Sequence, residues 1–149
     1  MRRHSPGVPV LLCIGAVLAL SACSQQGTAD RQAVRQVRGF PEYTRDELEF
    51  RTKGPTPSLD ATDPEAIRSV VEDMYSGKVL DVRSDDGDIV VAATYLYTAQ
   101  VGGGFMESVA TARICVDFTI TPAGAVSLGS AECPDEFTRE QSGVIIADF

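Results

Sequence analysis

The sequence predicts an α+β fold: one helix packed across a curled antiparallel sheet of four or five strands. Two changes of period lead there. Ile67, Val70, Val71 and Met74 recur at i, i+3, i+4 and i+7, which puts one apolar stripe along one helix face. Downstream the period becomes two. Ala110, Ala112, Ile114, Val116, Phe118 and Ile120 alternate with Thr111, Arg113, Cys115, Asp117 and Thr119, as in a strand with one buried face. A helix followed by a run of strands reads as a layered α+β unit.

The helix has a clear beginning and end. Asp63 offers a capping carboxylate, Pro64 fits the first helical position, and Glu65 places acid in the first turn. Ser76-Gly77 ends it. Lys78–Arg83 and Asp88–Ala99 then form a hairpin around Ser84-Asp85-Asp86-Gly87, since Asp-Gly between strand-like runs suits a tight reversal. Val101-Gly102-Gly103-Gly104 marks a second reversal before the long alternating strand. Thr121-Pro122-Ala123-Gly124 turns the chain into Ala125–Ala131, and Gly143–Phe149 supplies a last strand. This order is comparable to cystatin-like and nuclear-transport-factor-like (NTF2-like) layouts. No motif ties the chain to either, so the likeness is one of layout.

The first residues carry a different message. Met1-Arg2-Arg3-His4 is a short positive start, and Val8–Leu20 is an apolar run broken only by Pro9 and Gly15. As a helix that run would span about 20 Å, short of the ~30 Å hydrocarbon core. A positive start, a short apolar run and small residues at its end describe an export signal. The run ends in Leu20-Ser21-Ala22-Cys23, which resembles the lipobox of bacterial lipoproteins. The resemblance covers the first 23 residues. It implies cleavage before Cys23, diacylglycerol on the Cys23 thiol, acylation (palmitate) of the new amino terminus, and a protein held on the outer side of the cell membrane. Multiple acyl chains make such anchoring stable.

The expected organisation is a signal peptide at 1–22, a lipid-anchored, partly disordered tether at 23–60, and a small α+β domain at 61–149. The tether reading rests on small polar residues after Cys23, on Arg31–Arg38 without a clear apolar face, and on the break at Gly54-Pro55-Thr56-Pro57-Ser58. Thr44-Arg45-Asp46-Glu47 fits a capping box for one short helical turn. The competing reading is that Phe40, Tyr43, Leu48 and Phe50 dock on the domain or on a partner.

Charge and residue content narrow the function. The formal charge is -8, and it falls to -10 once Arg2 and Arg3 leave with the signal. Such a surface repels phosphate backbones, so no nucleic-acid partner is expected. It also disfavours tight contact with anionic lipid headgroups. The one histidine is His4, so the mature chain has no histidine-based triad or dyad and lacks the imidazoles of the usual zinc, copper and haem sites. No cofactor is expected.

Cys13 leaves with the signal, and Cys115 and Cys133 remain. In an oxidising compartment they are expected to pair. Cys115 points to the outer face of its strand, and Cys133 has the same parity after a turn centred on Gly124. The two should lie opposite or one diagonal step apart. Asp81, Asp85, Asp86 and Asp88 gather at the first hairpin. Calcium is the metal such oxygen ligands would take, with Asp85, Asp86 and Asp88 as candidates, but the spacing does not match the twelve-residue calcium loop, and Asp and Gly belong in a tight turn for backbone reasons.

The expected function is a membrane-anchored extracytoplasmic lipoprotein that acts as a non-catalytic binding or interaction module. Its partners would be the membrane, through the lipid, and an envelope protein. The expected binding face is Tyr95, Tyr97 and Phe105. The alternative is a small-ligand pocket protein or a carboxylate-dependent hydrolase using residues such as Glu107, Asp117 and Glu132.

Overall fold

The structure is a computed structural model, and it describes residues 9–103, 106–139 and 143–149. The element order is α1 (Pro9–Lys53), α2 (Pro64–Asp73), β1 (Lys78–Asp85), β2 (Asp88–Gly103), β3 (Met106–Ile120), β4 (Val126–Ser130), α3 (Asp135–Arg139) and β5 (Val144–Ile146). The strands form one five-stranded sheet in the order β1-β2-β3-β4, with β5 also paired to β3. This is the α+β layout the sequence predicts: a curled, unclosed sheet with α1 and α2 packed on one face.

The helix that covers the sheet is not the expected one. α2 forms where the periodicity places it: the Asp63 carboxylate accepts from the backbone N–H groups of Glu65 and Ala66 at 3.0 and 3.1 Å, and Ile67, Val70 and Val71 are buried. The main cover, however, is α1. Ala29, Ala33, Val37, Pro41, Thr44 and Leu48 face the sheet and are fully buried. The segment expected to be a partly disordered tether is therefore a docked helix from Ala29 to Leu48, and the folded unit begins well before residue 61. Burying this stripe, at roughly 25 cal/mol per Å² of apolar surface, holds the helix on the sheet. Pro41 takes away the N–H that would bond the Val37 carbonyl. Proline inside a helix ordinarily kinks or breaks it, yet packing on both sides carries the helix through Pro41. Thr44, read as a capping residue, lies inside the helix with its hydroxyl donating to the Phe40 carbonyl at 2.9 Å.

The helix runs along β3 in the same sense. Near its start the Gln26 side-chain amide donates to the Val109 carbonyl at 3.2 Å, and near its end the Thr52 hydroxyl donates to the Gly124 carbonyl at 2.7 Å. One end of the molecule thus holds the start of α1 and the tip of the β2–β3 hairpin. The other holds the β1–β2 hairpin and the β3–β4 turn.

The sheet core follows the predicted parity. Ile89, Val91, Ala93 and Tyr95 of β2, with Ala112, Ile114, Val116, Phe118 and Ile120 of β3, are buried beneath the helices. The β1–β2 reversal is a two-residue turn with Asp85 opposite Asp88, and Asp86 and Gly87 have φ of 49° and 93°, as a tight hairpin turn requires. β2 pairs with β3 as far as Gly103↔Met106. The last strand departs from expectation, because β5 pairs with β3 in parallel, Thr111 against Val144.

Behind the sheet, Cys115 and Cys133 form the expected disulfide, with Cα atoms 5.3 Å apart. Cys133 lies past the end of β4, which stops at Ser130. The bridge therefore clamps the chain leaving β4 onto the outer face. Phe137 of α3 covers the same face, lying 4.5 Å from the Arg113 guanidinium and 4.8 Å from the Lys78 ammonium, as cation–π contacts do.

Candidate functional site

The expected binding residues separate in the structure. Tyr95 has no exposed surface. Its hydroxyl donates to Thr44 Oγ1 at 3.1 Å, and burial pushes its pKa up to about 12 from the ordinary value of 10.0, partly countered by the Thr44 bond. Tyr95 is a core residue, because odd-numbered positions of β2 face the helices and α1 covers this one. Tyr97, two residues on, is half-buried at the margin of the same layer. Phe105 lies outside the described residues.

What Tyr97 joins is an aromatic cluster at the seam of α1, α2 and β2. Phe40 and Tyr75 stack with ring centroids 4.8 Å apart and an interplanar angle of 7°. Tyr97 meets Phe40 edge-on at 5.8 Å, and Tyr43 lies 6.0 Å from Tyr75. Tyr43 is 60% exposed and Tyr75 44% exposed. The competing sequence reading of this segment is thus divided: Leu48 docks on the sheet, Phe40 half-docks, and Tyr43 and Phe50 face outward.

The backbone holds Tyr75 where it is at a cost. Tyr75 and Ser76 have φ of 52° and 55°, the left-handed region that costs an L-residue roughly 1–2 kcal/mol. The next residue has no freedom to relieve them. A Cβ on Gly77 would lie 2.6 Å from the Val71 carbonyl oxygen and 2.8 Å from Tyr95 Cε1, so the chain must pass there as glycine. Two consecutive non-glycine residues in this region, one a half-exposed tyrosine stacked on another ring, mark a place where packing over-determines the backbone. Such places cluster at functional sites. The sequence signal available for it was Tyr75 immediately after the Met74 end of the helical stripe and before Ser-Gly.

On the other side of the buried stripe, α1 and β5 border a groove of about 740 Å³, within the size range of ligand sites. Val34, Gly39 and Ile145 give it an apolar lining, and Arg31, Arg35 and Arg38 line it together with the carboxylates Asp30 and Glu42.

The remaining candidates are less convergent. Among the described residues no group of three or more His, Cys, Asp or Glu side chains is placed to hold a metal ion; Asp85, Asp86 and Asp88 serve the hairpin turn. Asp117 is bound by Arg83 at 3.0 Å, which raises the Arg83 pKa. Glu107 and Glu132 are exposed on separate segments. Among the described residues no helix is long and apolar enough to cross a membrane. No protein-family model, no curated protein and no solved structure matches this chain.

Proposed function

We propose that the protein is a lipid-anchored extracytoplasmic lipoprotein that works as a non-catalytic binding module, and that its partner-binding face is the Phe40–Tyr43–Tyr75–Tyr97 cluster. The address comes from the export signal and from Leu20-Ser21-Ala22-Cys23. The observation that carries the binding role is Tyr75: a half-exposed ring, stacked on Phe40, on backbone in the left-handed region. Preset tyrosines suit recognition, because they offer large contact area with little entropy left to lose. The partner this face fits is an envelope protein that presents an apolar patch, with a basic rim to complement a chain of formal charge -8.

The arrangement also fits a binder better than a catalyst. The mature chain would carry no imidazole, and Asp117 is occupied by Arg83. The test is in-cell crosslinking of the anchored protein, followed by detergent extraction and identification of what is joined to it. A saturable protein partner that is lost in Tyr43→Ala/Tyr75→Ala, in a variant that remains folded and anchored, is the expected result. No partner above a Cys23→Ala control would sink the binding role.

A further inference from the structure

The arginine groove has a second feature that the aromatic face does not explain: among the described residues its arginines have no acidic partner in an ion pair. Arg45, Arg51, Arg68 and Arg83 each have an acidic partner within 4.0 Å. Among the described residues Arg31 bonds only the Thr28 hydroxyl, at 3.3 Å, and Arg35 and Arg38 have neither an ion pair nor a hydrogen bond; all three are exposed. In an acidic chain with carboxylates to spare, three neighbouring arginines left unpaired on one flank of a helix call for an anion from outside.

Their position along the molecule narrows which anion. All but one of the 21 acidic residues lie beyond Gly39, the exception being Asp30. Asp81, Asp85, Asp86 and Asp88 sit in and beside the β1–β2 hairpin, at the end opposite the start of α1. The arginine flank therefore lies toward Cys23 and the acidic β1–β2 hairpin away from it, with Glu107 also at the near end, on the tip of the β2–β3 hairpin. Along a helix of 1.5 Å rise, Arg31 is about 12 Å and Arg38 about 22 Å from Cys23. Only residues 24–28 separate Cys23 from Ala29, which is fully buried. A domain tied so closely to its lipid cannot stand far from the bilayer.

Resting on the lipoprotein reading above, we propose that the arginine flank of α1, with Arg31, Arg35 and Arg38 beside Val34 and Ile145, docks on the phosphate groups of anionic phospholipids in the membrane that holds Cys23. The apolar lining of the groove accepts the glycerol and upper acyl carbons next to a bound phosphate. The docked flank lies on the other side of the buried stripe from Phe40 and Tyr43, so docking leaves the aromatic face turned toward a partner. The acidic hairpin at the far end is kept from the anionic surface.

The test uses the anchored protein, reconstituted in vesicles of neutral phosphatidylcholine alone or with phosphatidylglycerol. Each sample is treated with an arginine-modifying dicarbonyl and read residue by residue by mass spectrometry. The expected result is that modification of Arg35 and Arg38 falls about five-fold or more in the anionic vesicles, the equivalent of at least one arginine's attraction to such a surface. Arg68 and Arg83 should not change. Protection should vanish at 1 M salt, where the screening length is about 3 Å. Equal modification in both vesicles would overturn the docking. So would protection by inorganic phosphate in the neutral vesicles, which would assign the groove to a free anion. The Cys23 peptide in the same digest reports the anchor separately. Unmodified Cys23 would sink the lipoprotein reading, while protection in anionic vesicles would still stand as evidence for the arginine flank.

Discussion

Tyr95 of β2 donates its hydroxyl to Thr44 of α1 at 3.1 Å, and Thr44 in turn donates to the Phe40 carbonyl at 2.9 Å. A buried polar chain thus pins the middle of the long helix to the sheet, one turn from Pro41 and directly beneath the ring that stacks on Tyr75. Fold and candidate site share this joint.

Replacing Tyr95 by Phe removes the hydroxyl and leaves the ring in place. The expected cost is about 1 kcal/mol, the usual net value of one hydrogen bond. The pH dependence is more telling. The folded-state pKa of Tyr95 is raised to about 12 from 10.0, so the folded state favours the neutral phenol. That contribution is fully present below pH 10. It is lost as pH rises from about 10 to about 12, because the unfolded chain releases the proton first. Two units correspond to about 3 kcal/mol. Denaturant titrations should therefore show stability falling over that window in the native protein, with a shallower fall in Tyr95→Phe. Equal slopes would contradict the burial of this hydroxyl.

Leu48→Ala separates a docked helix from a stalk. Leu48 is fully buried, and truncating such a side chain costs about 2–5 kcal/mol. Thermal or denaturant unfolding should register that loss. A change near zero would mean that α1 is not part of the cooperative unit.

Reduction of Cys115–Cys133 should lower the melting temperature. The sequence separation is 18 residues, and closing a loop of that length is worth about 3 kcal/mol in the chain-entropy model. The double Cys115→Ser/Cys133→Ser variant should match the reduced protein. A melting curve unmoved by dithiothreitol would contradict the bridge as a stabilising element.

Ser76→Gly should stabilise the protein. Relief of roughly 1–2 kcal/mol of left-handed strain outweighs the ~0.5–1 kcal/mol of added chain entropy. Tyr75→Gly should relieve the same kind of strain, lose the Phe40 stack, and abolish partner crosslinking while the protein remains folded. Crosslinking that survives Tyr75→Gly would place the binding face elsewhere.

Much of the fold was legible in the sequence. The α2 stripe, the Asp86-Gly87 turn and the alternation along β3 are written in side chains whose period and turn chemistry act locally. The cysteine pair followed from parity across the Gly124 turn. The docking of α1 was not legible, because its buried stripe is Ala29, Ala33, Val37, Pro41, Thr44 and Leu48. Small and polar residues make a weak apolar signal, and proline argues locally for a break. What decides the matter is the sheet, a tertiary surface that local reading cannot see.

The site was partly legible for a related reason. Tyr97 and Tyr95 were read together as one exposed face, yet Tyr97 is half-buried and Tyr95 fully buried, since parity alone does not say where a covering helix lies. Phe40 and Tyr43 were weighed as a docking segment. Tyr75 was missed, because its prominence comes from a backbone conformation that composition does not encode. Arg31, Arg35 and Arg38 belong to a segment read only as lacking a clear apolar face, because which arginines find an acidic partner is decided by tertiary placement.

The most direct measurement is the mass of the N-terminal peptide of the protein extracted from the membrane fraction of cells that make it. The account predicts a chain that begins at Cys23 and carries diacylglycerol on its thiol, and a Cys23→Ala variant that leaves the membrane or remains uncut. An N-terminus elsewhere, or an unmodified Cys23, would contradict it.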